Sequence, residues 1–184
     1  MPFTETWTEE LVAEWFIIQN YAVDILLPVS VTEDVGGRFE ADVVGVKVNE
    51  GRLNIYHVEV GQLSQNPDKA IASLKKKFSP AVQDNLKMYY SGVFGYDEQD
   101  IDYSMLYVAS YCSRPIIDKA VIDLGLEIKL LDKFLIEDVF PALDCWKNDP
   151  ISFNPKTKGE PILPPQSCWL LQLVDYMRKK SMLR

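Results

Sequence analysis

The chain has 184 residues, 19 basic against 27 acidic, for a formal net charge of −8. That length predicts one domain with a single sizeable core, and 47% hydrophobic against 25% charged residues excludes a disordered chain. The negative balance argues against coating nucleic acid or an anionic membrane by bulk charge, so any phosphate-binding function has to rest on a local site.

The opening Met1-Pro2-Phe3-Thr4-Glu5 has no basic stretch, and Glu14, Gln19, Asn20 and Asp24 interrupt the apolar run over 11–31, so neither a signal peptide nor a membrane span is expected. Cys112, Cys145 and Cys168 are odd in number and widely spaced. They support neither a disulfide framework nor a zinc ribbon, and a cytoplasmic location fits. Thr6 and Glu9 stand at capping-box spacing, with Leu11, Trp15, Ile18 and Ala22 on one stripe, predicting a helix over about 7–24. A strand over 25–32 follows, pushed toward a sheet edge by Pro28, and Gly36-Gly37 marks a turn. Residues 39–48 and 53–62 read as strands joined by Asn49-Glu50-Gly51-Arg52, which is hairpin chemistry.

After Asn66-Pro67-Asp68, the apolar positions Ala70, Ile71, Leu74 and Phe78 predict a helix over 69–78, and Ser79-Pro80 opens another to about residue 90. A strand over 103–112, a helix over 115–124 stopped by Gly125, a strand over 126–131 and a helix over 132–147, kinked or broken by Pro141, complete the core. The class is α/β, a mixed sheet flanked by helices within a domain over 1–148. Five of the eleven prolines fall within 149–166, which reads as a linker or extended arm. The last segment, 167–184, reads as a helix with Leu170, Leu173, Val174 and Met177 on one face. It must dock on the domain or on a partner, a second copy of the chain included.

Asp42 and Glu59 carry the chemistry. A strand period of two puts Asp42 with Glu40 and Val44, and Glu59 with His57 and Gly61. If the hairpin aligns those faces, the two carboxylates become neighbours. Carboxylates in Ala-Asp-Val-Val and His-Val-Glu-Val settings are costly to bury without a cation. A hard divalent ion such as magnesium, which takes oxygen ligands and few protein carboxylates, answers that cost. His57, the lone histidine, excludes a multi-histidine metal site and reads as structural. No P-loop, G-x-S-x-G elbow, Cys/His dyad or dinucleotide fingerprint is present.

The run from Gly36-Gly37-Arg38-Phe39-Glu40-Ala41-Asp42 through Ile55-Tyr56-His57-Val58-Glu59-Val60 resembles the PD-(D/E)xK, or restriction endonuclease-like, nuclease core. The resemblance covers about residues 8–131 and implies an α-β-β-β-α-β core with a magnesium (or manganese) site for phosphodiester hydrolysis. By that resemblance Asp42 and Glu59 are metal ligands and Glu14 the accessory helix acid, and the substrate is DNA rather than RNA. Arg38, Lys75, Lys76, Lys77 and Arg114, with Lys119, would then touch phosphates, and Tyr89, Tyr90, Phe94 and Tyr96 would offer a stacking surface or fill the core.

The chain departs from the pattern where the family has its lysine, two residues after the glutamate: here stands Gly61, then Gln62. Three explanations are open. A lysine of the following helix, Lys75 or Lys77, takes over its place. Alternatively Gln62 does so, which strict alternation forbids unless the strand ends or bulges there. Or catalysis is lost, leaving a silent module for nucleic-acid or protein interaction.

Overall fold

The computed structural model describes residues 4–29, 39–64, 66–148 and 163–183. The Gly36-Gly37 turn, Arg38 and most of the proline-rich segment lie outside the described residues. Helix α1 (Trp7–Ile18) opens with the expected capping box: the Thr6 side chain accepts the Glu9 N–H, and the Glu9 carboxylate accepts the Thr6 N–H. It stops at Ile18 rather than near 24, because Asn20 turns the chain with a left-handed φ of 68°, a conformation asparagine tolerates. Residues 22–24 belong instead to the first strand.

Five strands stand in chain order in one sheet: β1 (Ala22–Pro28), β2 (Glu40–Asn49), β3 (Arg52–Leu63), β4 (Ile101–Cys112) and β5 (Glu127–Leu130). The first three pair antiparallel, and β3, β4 and β5 pair parallel. The β2–β3 hairpin turns through Glu50 and Gly51, both at positive φ (51° and 79°), the sense of turn that matches strand twist.

Helices α2 (Pro67–Lys77), α3 (Pro80–Phe94) and α4 (Arg114–Leu124) cover one face of the sheet, over Val44, Val46, Leu53, Ile55, Tyr107 and Ala109. The other face, with Val43, Val58, Val60, Leu106 and Val108, lies under α1, α5 (Leu131–Phe134), α6 (Phe140–Asn148) and α7 (Trp169–Lys179). Strand alternation thus sorts neighbouring residues into two cores. Pro141 does not break the helical stretch expected over 132–147, which runs from α5 through a π turn into α6. Lacking an N–H for the helical ladder, it follows a π turn over Leu135–Val139, where the Trp15 indole N–H donates to the Asp138 carbonyl (3.2 Å).

Helix α7 docks on its own domain, with Leu170, Leu171 and Val174 in the core shared with α1 and α6. Its contact face is therefore turned from the expected one, and Leu173 is exposed. Among the described residues no helix is long and apolar enough to cross a membrane.

Candidate functional site

The β2–β3 ladder runs from Asn49 opposite Arg52 to Val43 opposite Val58. One step further, where Asp42 comes opposite Glu59, the backbone ladder ends and the Asp42 carboxylate itself accepts the Val60 N–H (2.8 Å). On the other side of β2, pairing lapses at the same level: Leu26, between the Ile25–Val43 and Leu27–Ala41 pairs, sits at φ 52°. Across β3, Glu59 pairs with Tyr107 of β4. Asp42, Glu59 and Tyr107 therefore form a row over three strands, on the face covered by α2.

Glu59 is wholly buried and held from both sides. Its Oε1 lies 2.9 Å from His57 Nε2, and His57 Nδ1 lies 2.8 Å from the Tyr103 hydroxyl. In the neutral ring, Nε2–H donates to Glu59 while Nδ1 accepts the tyrosine O–H. The Phe78 ring packs against the imidazole, centroids 4.8 Å apart. Glu59 Oε2 meets the ammonium of Lys77, the last residue of α2, which also lies 3.5 Å from Asp42 Oδ2. The phase of α2 buries Ala70, Ile71 and Leu74 and leans Lys77 inward, whereas Lys75 and Lys76 are exposed.

The electrostatics follow from this crowding. Burial, and next the Glu59 charge, push the Asp42 carboxyl up to about 7 against the pull of Lys77 and the Val60 N–H. Burial also works against ionised Glu59, but the His57 hydrogen bond and the Lys77 charge override it and hold the group below the usual carboxylate range. Lys77 is raised: its desolvation is outweighed by Glu59 and Asp42, so it is a firmly charged donor rather than a base. Burial, with Asp42 and Glu59 nearby, likewise raises the Tyr107 phenol.

Position 61 has no room for a side chain. Its φ is +150°, and a Cβ at this position would lie 2.9 Å from the Tyr107 hydroxyl. The β3–β4 register shifts between Gly61 and Gln62, but the extra residue is Ser110 of β4, which donates to the Gly61 carbonyl (3.3 Å). The Gln62 side chain is exposed.

Glu14 does not join this row, a correction to its expected part as accessory acid. It lies on the opposite face, where its two carboxylate oxygens accept the N–H groups of Leu170 (3.0 Å) and Leu171 (2.6 Å). Cys168 precedes α7 without a side-chain cap, so Glu14 supplies the cap from 156 residues away. Burial pushes its carboxyl up to about 7, opposed by these two N–H bonds.

Of the proposed phosphate contacts, Arg114 is exposed and pairs with Asp118 (2.9 Å), and Lys119 pairs with Asp68. Tyr90 is core, its hydroxyl donating to Asp24 (2.8 Å), while Tyr89 and Phe94 face outward. Sequence reasoning missed the parts of Tyr103 and Tyr107. The alternation of β4 was the available signal for both.

Among the described residues no three His, Cys, Asp or Glu side chains stand together as a metal-binding group; the donor set is a pair. Two hard carboxylates drawing in a cation still fit magnesium, which commonly takes one or two carboxylates and keeps its waters. No family model matches the chain, and no curated protein is found similar to it.

Proposed function

We propose that the chain is a magnesium-dependent phosphodiester hydrolase acting on DNA, built on a restriction endonuclease-like core in which Lys77 has taken the place of the motif lysine. The observation that carries this reading is the Lys77 ammonium reaching both Asp42 and Glu59 from α2, at the point where the hairpin ladder ends. Support also comes from the order of α1, β1, β2, β3, α2, β4 and β5 around a mixed sheet.

Asp42 and Glu59 would hold the ion, which when bound polarises phosphate oxygens and lowers the pKa of a coordinated water. His57 fixes the rotamer of Glu59, the role outer groups play around ligating carboxylates. Lys77 keeps its proton and offers N–H bonds and positive charge to the attacking water and to the charge developing on phosphate. The exposed Lys75 and Lys76 add local attraction for a backbone phosphate in an otherwise acidic chain.

The test is cleavage of supercoiled plasmid and of labelled duplex, branched and single-stranded oligonucleotides in magnesium or manganese against EDTA. We expect metal-dependent cleavage, reduced about 100-fold or more in Asp42→Ala, Glu59→Ala and Lys77→Ala and retained in Glu14→Gln. A second reading, a silent interaction module, is favoured by one observation: Lys77 already neutralises Glu59 directly. Absence of metal-dependent cleavage on every substrate decides for it.

A further inference from the structure

The space that a side chain at position 61 would need is taken from β4. Tyr107 is buried, its ring packed in the core formed with α2 and α4, so its hydroxyl has little freedom to wander. The register sets the ring beside Glu59, and the hydroxyl extends over Gly61, 2.9 Å from where a Cβ would stand. Among the described residues no hydrogen bond engages this hydroxyl, and it is not among the fully enclosed polar atoms that lack a partner. A phenol in a core normally finds a partner or reaches water. This one ends at a position kept clear by a glycine, on a residue whose partner in the neighbouring strand is Glu59.

Resting on the phosphodiesterase reading above, we infer that the Tyr107 hydroxyl is a substrate-contacting donor of the Asp42–Glu59 site, taking the space of a side chain at position 61 and donating its O–H to a non-bridging phosphate oxygen. Lys77 then supplies the charge and Tyr107 the directed hydrogen bond, a division between two residues of work the family pattern gives to one. The glycine is what keeps the hydroxyl in place: a methyl at 61 would meet the phenol oxygen and drive it off the row.

The test uses the full chain as wild type, Tyr107→Phe, Gly61→Ala and the double variant. Readouts are kcat and KM on a duplex oligonucleotide in magnesium, thermal unfolding, and the 13Cζ resonance of labelled tyrosine on titration with the same oligonucleotide in calcium. Tyr107→Phe identifies its resonance among the nine tyrosines. We expect Tyr107→Phe to lower kcat about tenfold or more with KM changed less, and the 13Cζ signal to move on binding. Gly61→Ala should lower kcat when Tyr107 is present and add nothing to Tyr107→Phe.

Unimpaired kcat in Tyr107→Phe, with wild type cleaving, overturns this inference alone. In a chain that binds the oligonucleotide without cleaving it, the nuclease reading fails separately and the resonance decides: a shift supports the contact, and a still signal removes it. A wild-type chain that neither binds nor cleaves removes both.

Discussion

Glu14 and Glu59 are 1% and 0% exposed and lie on opposite faces of one sheet, yet they are buried for different ends. The partners of Glu14 are two backbone N–H groups at the start of α7, donors that have no helical acceptor of their own. Its carboxylate is consumed by holding a helix, and the positive end of the helix dipole favours it there. The partners of Glu59 are side chains, His57 and Lys77, and beyond them stand Asp42 and Tyr107. A carboxylate held by side chains can exchange a partner for an ion or a substrate without unravelling backbone. Burial alone therefore does not separate the two acids; the kind of partner does.

The sharpest way to break this contrast is Lys77→Met. It strands Glu59 without a cation, so it should abolish cleavage and cost roughly 2–4 kcal/mol, less than a wholly buried pair because Lys77 is partly exposed. Urea unfolding and the cleavage assay read both. A variant as stable as wild type would place Glu59 among acids that need no partner.

Glu14 should show itself through pH. Its carboxyl titrates near 4.5 in the unfolded chain and about 7 in the folded one. The folded state therefore binds the extra proton between those values, and stability falls as pH rises through them. Relative to Glu14→Gln, wild type should be most stable below pH 4.5 and lose about 3 kcal/mol by pH 7, with amide exchange in α7 rising in step. Parallel stability curves for the two proteins would show that the cap carries no buried charge.

His57→Phe keeps the packing on Phe78 but leaves Glu59 Oε1 and the Tyr103 hydroxyl without their partner, at a cost of about 1–3 kcal/mol. Cleavage should fall about 10–100-fold, as for other groups that orient a ligand. Equal activity would mean that Lys77 alone positions Glu59. The smallest effect belongs to Arg114→Ala: its exposed pair with Asp118 predicts a change under about 0.5 kcal/mol in chemical unfolding.

Much of this was legible in the sequence, for local reasons. The Asn49-Glu50-Gly51-Arg52 turn sets the hairpin register, and that register alone brings Asp42 level with Glu59. The α/β order and mixed sheet follow from periodicity. The choice between Lys75 and Lys77 was not legible, because it depends on how α2 is rotated against the sheet, and that rotation is settled by Ala70, Ile71 and Leu74 finding their places in the core. Glu14 was misjudged for the same reason: an acid in an apolar stripe announces burial, but its partners lie in α7, far along the chain. The end of α1 had a local signal in Asn20, outweighed by the apolar stripe that runs on into Ala22 and Val23. Tyr107 needed two facts at once, the alternation of β4 and the lack of a side chain at Gly61, and how the two meet depends on the register between β3 and β4.

A lysine borne on a helix end differs from one fixed in a strand. Lys77 closes α2, with Phe78 anchoring the next step against the His57 ring. Opening that final turn is a local event, far easier than unfolding the domain, and it would withdraw the cation from both carboxylates while leaving the sheet intact. Under the proposed metal-binding reading, the fraying of one helical turn would then offer a second route, besides swinging of the Lys77 side chain alone, by which the carboxylate pair trades its built-in cation for one from solution.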